Sequence, residues 1–351
     1  FRNICRKIFL IEFEVNQSNS TDNYIIGIFN TFMIYTIFAA SWDFLAGFVG
    51  QISFGHSIFF GVAGYVTAFT TRYGFPWISV DISVFPWDWD VTFIVISWLP
   101  ALVLGAIVAV IFGLIIGVPA LRLKGPYLAL GTLSMSLILY QLLLMANLGI
   151  MWEQIFPGTE LFGTDGIGQV PPISRNPIIQ YLIIFLILCT SLILLTHLVK
   201  SKLGTIFKAI RDDETGAKSS GINTTRYKIL AFMISGFFAG VAGGIFALRF
   251  SGVNPGVFQP LYSFYAIIIA AIGGIASISG AALGAFFFVF LSEILRLLGD
   301  NPQLTLATGG FIEPIFIFSI ILIVMIRFAE HGIMKPALER IQDLWDILLG
   351  R

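Results

Sequence analysis

The sequence predicts an all-α, polytopic transmembrane helical bundle of about nine spans (eight to ten), with broken Gly-rich helices and a charged cytoplasmic helix. Three observations predict it. Hydrophobic residues make up 57% of the 351 and charged residues only 11%, against about 25% charged in ordinary soluble domains. The apolar residues fall in unbroken runs near the roughly 20 residues that one helical crossing needs, not in the short alternating strands of an outer-membrane barrel. One interval, Lys200–Lys228, interrupts these runs with seven basic residues (Lys200, Lys202, Lys208, Arg211, Lys218, Arg226, Lys228) against three acids (Asp212, Asp213, Glu214).

The runs follow in order. Tyr24–Ser41 and Ile52–Thr71 come first, then Phe93–Val118 and Tyr127–Asn147. Ile178–Val199 precedes the basic interval and Ile229–Leu248 follows it. Tyr262–Ala276, Gly280–Leu298 and Phe311–Arg327 complete the set. The chain divides into an amino-terminal segment (1–23), a transmembrane domain (24–328) containing the charged loop 200–228, and a cytoplasmic tail (329–351).

Lys and Arg set orientation, because cytoplasmic loops carry the excess of both. With Lys200–Lys228 inside, Pro119–Pro126 with Arg122 and Lys124 also falls inside, as does the tail with Lys335, Arg340 and Arg351. Gly149–Pro177 falls outside with Arg175 alone, and Arg72–Thr92 falls outside with Arg72 alone. That outer loop carries Trp77, Trp87 and Trp89 beside Pro76 and Pro86, the composition of an interfacial lid. Arg2, Arg6 and Lys7 conflict with the scheme. Either a span precedes Phe1, which is not a Met, or the amino terminus is an interfacial helix.

Composition narrows function. A net charge of zero provides no field to steer nucleic acid. Cys5 and Cys189 make no disulfide framework, three scattered histidines give no metal-ligand spacing, and no GxxxxGK[ST] phosphate loop occurs. No series of intramembrane acids runs through the spans, as an ion-coupled carrier would use. Glu293 and Arg296, three apart on one helix, read as a structural pair.

Two Gly-rich turns stand out on the inner side. The first carries Gly50, Gln51, Ser53, Gly55 and His56; the second carries Gly273, Gly274 and Gly280. Close helix packing alone accounts for such glycines. Broken helices that line a translocation path account for them too, and these residues are the path candidates. On the outer side, Asn254-Pro255-Gly256 reads first as a turn and second as a docking surface. Within the basic interval, the spacing of Ile206, Phe207, Ile210 and Ala217 suits short amphipathic helices stopped by Gly221.

Here a resemblance enters. The order Glu214-Thr-Gly-Ala217, three residues, then Gly221-Ile222 is similar to the cytoplasmic signature of ABC importer permeases. Arg211–Leu248, Trp42–Tyr65, Pro119–Ser136 and Ala271–Phe287 together resemble the permease subunits of branched-chain amino-acid ABC importers, in particular the longer, M-type (Liv M-type) subunit. The resemblance covers roughly Tyr24 to Arg327. It implies a multi-pass protein of the cell (inner) membrane, itself no enzyme, that translocates branched-chain or related aliphatic amino acids by alternating access. The implied partners are a homologous permease in a heterodimer, two ABC ATPases, an extracytoplasmic binding protein and the lipid bilayer, with no nucleic acid. No cofactor is bound by this chain; ATP is used by the partner subunits. The implied ATPase-coupling residues are Gly204, Ile206, Phe207, Ile210, Arg211, Asp213, Glu214, Ala217, Lys218, Gly221 and Ile222. Relatives on this scaffold also handle other amino acids, amides or urea, and a self-sufficient carrier or channel is the competing class. Two departures stand against the family pattern. The Ala-Ala of the coupling signature is Thr215-Gly216 here, and a mid-helix Gly costs about 1 kcal/mol relative to Ala, which implies weaker docking or a break. The extra first span of many relatives is also missing, in line with the charge conflict at Arg2, Arg6 and Lys7.

Overall fold

A computed structural model describes residues 2–74, 98–120, 123, 125–155, 163–174 and 176–299. The outer Trp loop, Arg122 and Lys124, Arg175, the run Phe311–Arg327 and the tail 329–351 lie outside these residues.

The described chain is helical, as its apolar runs require: in a bilayer a helix satisfies its own backbone hydrogen bonds. Helix α1 spans Arg2–Asp43 and continues into a π-helical turn, Phe44–Phe48. Helix α2 is Ser57–Phe69, extended by a second π turn at Thr70–Gly74. Then come α3 (Trp98–Ala120), α4 (Pro126–Leu144) and the short α5 (Ala146–Ile155). Helix α6 (Pro177–Lys200) leads into the basic interval, which folds as α7 (Lys202–Asp212) and α8 (Glu214–Ser219). Helices α9 (Thr224–Arg249), α10 (Pro260–Gly273) and α11 (Ile278–Gly299) complete the described bundle.

Among the described residues six helices are long and apolar enough to cross a membrane: Asn23–Phe48, Trp98–Ala120, Pro126–Leu144, Pro177–Lys200, Thr224–Arg249 and Ile278–Leu297. Two expected spans are shorter than their hydropathy promised. The run Ile52–Thr71 begins in non-helical backbone, so α2 has 13 residues, and Tyr262–Ala276 becomes the 14-residue α10. At 1.5 Å per residue, 14 residues reach only about 21 Å, short of a hydrocarbon layer about 30 Å thick. The breaks fall at the two Gly-rich turns.

Helix α9 is the hub: 67% of its apolar window is buried, against 28% for α4 and α6, whose Leu130, Ile138, Leu186 and Ile193 are exposed on the surface of the chain. Lipid tails are as apolar as the side chains, so helix association here depends on close fit. Small residues supply it where α9 crosses α2 and α3. A Cβ on Gly240 would sit 2.9 Å from the Ala109 methyl and 3.1 Å from that of Ala63. One on Gly243 would overlap the Phe60 carbonyl.

These contacts predict opposite outcomes for two glycines. Gly243→Ala meets rigid backbone and should cost about 1–3 kcal/mol, read as a lowered unfolding midpoint in detergent. Gly117→Ala places its methyl 3.6 Å from the Phe232 ring and should leave the midpoint nearly unchanged.

Candidate functional site: the paired inner turns and the helix that rests on them

The basic interval folds back tightly. Gly204 is required because a Cβ there would overlap the Val199 carbonyl at the end of α6. The amphipathic spacing then buries Phe207 and Ile210 on one face of α7, with the Phe207 ring edge-on to Phe44 at 5.6 Å. Asp213 takes extended backbone between the two short helices, and its Oδ1 accepts the Thr215 amide at 2.9 Å, capping α8. Helix α8 ends in a Schellman arrangement: Gly221 has φ +83°, its amide donates to the Lys218 carbonyl, and the Ile222 amide donates to the Ala217 carbonyl.

The Thr215-Gly216 departure does not break the helix, contrary to the expectation of a break there. A Cβ at Gly216 would lie 2.5 Å from the Asp213 carboxylate, so the glycine makes room for the cap. The interruption lies one step earlier, at Asp213. Burial then divides the sequence-predicted coupling residues. Gly204, Phe207, Ile210 and Ala217 are buried within the chain, Ile206, Glu214 and Ile222 are half-buried, and Arg211, Asp213, Lys218 and Gly221 are exposed. The first group positions the loop; the exposed residues present a surface.

Glu214 ties α8 to α9. Its carboxylate pairs with Lys228 at 2.7 Å and with Lys218 at 3.0 Å, one helical turn on. Lys228 is buried, so Glu214 is the partner that lets its ammonium leave water. The hydrogen bond from Lys228, followed by that from Lys218, holds the Glu214 carboxyl down at about 2.

Beneath α7 lies the first inner turn. Arg211 crosses to it, donating from Nη1 to the Gly47 carbonyl at 2.9 Å while pairing with Asp212 at 2.8 Å. Gly50, with φ +73°, passes directly under Arg211. The π turn ends in an unwound segment through His56, pinned from three sides. Trp42 Nε1 donates to the Ser53 carbonyl at 2.8 Å. Thr132 Oγ1 on α4 accepts the amides of Phe54 at 3.0 Å and Gly55 at 3.3 Å. His56 Nε2 meets Ser41 Oγ at 2.9 Å, and its ring packs tilted against Phe38 and edge-on to Phe59.

The first turn is joined to the second by one side chain. Asp43, buried at the end of α1, accepts the Ala276 amide on Oδ1 at 2.7 Å and the Ser277 amide on Oδ2 at 2.9 Å. These amides belong to the break between α10 and α11, where Gly274 and Ala276 both have positive φ. Gly47 is glycine because a Cβ would sit 2.6 Å from the Ala276 nitrogen. Gly273 and Gly280 cross so closely that a Cβ on either would strike the other's carbonyl. Of the path candidates, Ser53, Gly55, His56, Gly273, Gly274 and Gly280 are packed inside protein, whereas Gly50 and Gln51 open onto a cavity beside α7.

The candidates read from the sequence left out Asp43, Gly47 and Thr132. A lone acid inside an apolar run was the available signal. Asn254 caps its own turn through Gly256, as its composition predicts, and Ile167 and Val253 pair as an antiparallel bridge beside it. Glu293 and Arg296 do pair, at 2.6 Å, joined by the Tyr24 hydroxyl.

A family model described as branched-chain amino acid transport system / permease component matches residues 24–327. The high-affinity branched-chain amino acid permease LivM of Salmonella typhimurium is 29% identical over 82% of this chain and 66% of its own length. The chain thus spans slightly less than two thirds of that relative. The fructose import permease FrcC of Rhizobium meliloti is 27% identical over 82% of this chain and 72% of its own. The ribose import permease RbsC of Escherichia coli is 31% identical over 57% and 60% respectively. No solved structure matches.

The Glu214 pairs carry a pH prediction. With a folded pKa of about 2 against 4.5, their stabilisation is fully present above about pH 4.5 and is lost as pH falls toward 2. Hydrogen exchange over 214–222, corrected for intrinsic rates, should be level from pH 7 to 5. Glu214→Gln should raise it throughout that range, because the buried Lys228 ammonium loses its carboxylate partner.

Proposed function

The chain belongs to the family of branched-chain amino acid transport permease components and is a multi-pass protein of the inner (cytoplasmic) membrane; from that premise we propose that it is the transmembrane subunit of an ABC importer for branched-chain or related aliphatic amino acids. It pairs with a homologous permease as a heterodimer, rests on two ATPases and receives substrate from an extracytoplasmic binding protein. The family is a transport family rather than a catalytic one, and ATP is consumed on the partner subunits.

One observation carries the mechanism: an unbroken line of contacts from α7 to the paired breaks. A displacement of α7 moves Arg211, which holds the Gly47 carbonyl. Gly47 belongs to the π turn that begins beside Asp43, and Asp43 holds the amides between α10 and α11. Short helices meeting at such breaks re-pack at low cost, because their end groups exchange one partner for another instead of breaking a continuous ladder. An ATPase seated on exposed Lys208, Arg211, Asp213 and Lys218 thereby drives both turns together, and the path opens by alternating access.

A second reading concerns the substrate alone. The ribose and fructose permeases match at identities close to that of LivM, which favours a monosaccharide as the competing cargo.

The test is reconstitution of the complete importer in proteoliposomes with ATP. Leucine uptake that needs the ATPases, with ribose and fructose excluded, supports the reading. Leucine uptake by this chain alone, down a gradient and without ATPases, would overturn the importer assignment, and uptake of sugar in place of leucine would overturn the substrate. Asp43→Leu should insert and assemble yet transport at least tenfold more slowly, with ATP hydrolysis persisting. Arg211→Glu combined with Lys218→Glu should uncouple hydrolysis from transport.

A further inference from the structure

The cavity onto which Gly50 and Gln51 open is bounded by the unwound turn, the start of α4 and the coupling helices, and measures about 320 Å³. That lies within the size range of small-molecule sites, about 300–1,000 Å³. Its walls have three distinct chemistries. Val49, Ile52, Leu128 and Ile210 supply an aliphatic surface. Among the described lining residues Arg211, Lys218 and Lys228 supply cations, and Glu214 supplies the only carboxylate. Three cations against one acid leave a positive surplus, reduced but not cancelled by Asp212, which pairs with Arg211 and is not part of the lining.

A free aliphatic amino acid has the complementary set at a single carbon: a carboxylate, an ammonium and a branched apolar chain. A sugar has none of the three. A simple anion has only the first, and leaves both Glu214 and the aliphatic wall unmatched.

We propose that this cavity is a cytoplasmic-side binding site for a free aliphatic amino acid, held as the zwitterion. Its carboxylate lies on Arg211 and Lys218, its ammonium on Glu214, and its side chain against Val49, Ile52 and Leu128. The proposal rests on the amino-acid reading of the cargo and adds a second consequence. The occupant's two charges replace the Glu214–Lys218 pair, the longer and more exposed of Glu214's two, while the 2.7 Å pair with the buried Lys228 stays. Because Ile210 and Arg211 belong to α7, Val49 and Gly50 to the inner turn that moves with it, and Leu128 to α4, an occupant ties that moving pair to α4. Accumulated product on the cytoplasmic side then slows the cycle, and by linkage the conformation that turns over binds that product less well.

The experiment is equilibrium binding of radiolabelled L-leucine to the detergent-purified complete importer without its binding protein. Saturable binding is expected. Isocaproate, which lacks the ammonium, and isoamylamine, which lacks the carboxylate, should each compete at least tenfold more weakly than leucine. Ile52→Trp, which fills the cavity from a half-exposed position, should lower the stoichiometry by one site, with assembly checked by co-elution of the ATPases. Unchanged stoichiometry in that variant overturns the proposal. So does equal competition by isocaproate or inorganic phosphate, which would make the cavity a generic anion site. If leucine is imported but does not bind here, this inference alone fails; if a sugar is imported instead, the cargo reading fails with it.

Discussion

Two hydrogen bonds to one carboxyl group join the two Gly-rich turns of this molecule. Where α10 ends and α11 begins, backbone amides lose their helical partners in a region that offers little water. An unsatisfied amide there costs on the order of 1–3 kcal/mol. Asp43 accepts two of them, from Ala276 and Ser277, and so makes a break in one helix pair depend on the end of another helix 233 positions away. The geometry leaves no slack. Gly47 must be glycine for the two turns to approach, and the π turn starting at Phe44 directs the chain away from them. Removing the carboxyl would leave the α10–α11 break without partners and the first turn without its anchor.

The same economy of space explains why α2 and α10 are short. A long unbroken helix could not bring its middle backbone to another helix's side chain, because its own ladder occupies every amide. Unwinding residues 50–56 frees the amides of Phe54 and Gly55 for Thr132, and the carbonyl of Ser53 for Trp42. Each freed group finds a side chain on α1 or α4. These freed backbone groups are therefore satisfied by protein while the Gly50–Gln51 end of the turn stays open to a cavity.

These dependencies explain what was legible in the sequence. The six long apolar helices follow from hydropathy, because burying about 20 apolar residues in lipid overrides local preference. The spacing of Phe207 and Ile210 showed the face of α7, and Gly221 showed its companion's end, because amphipathic period and left-handed backbone are local properties. The Glu214–Lys218 pair is a helical neighbour and was equally readable; Glu214–Lys228 is not, since it depends on how α9 returns beside α8. Hydropathy overstated Ile52–Thr71 and Tyr262–Ala276 because a window average does not register which amides are hydrogen-bonded. Asp43 was visible as a lone intramembrane acid, but its partners are backbone groups, which carry no side-chain signature at all.

The division of the charged loop into buried and exposed residues follows from this arrangement. A helix that transmits displacement needs one face fixed to what it moves and another free for what moves it. Phe207 and Ile210 are buried on one face of α7, with Phe207 against Phe44, so they are not available as a contact surface. Arg211 belongs to both faces: its guanidinium holds the Gly47 carbonyl, yet its side chain remains 36% exposed beside Asp212. A single residue that touches the turn on one side and open surface on the other is the shortest mechanical link the loop contains. The short α8 adds stiffness instead of reach, since Glu214 locks it to Lys228 on α9 while its Schellman end stops further extension. On the proposed importer reading, force applied to α7 would pass inward through Arg211, and α8 would keep the loop from absorbing it by bending.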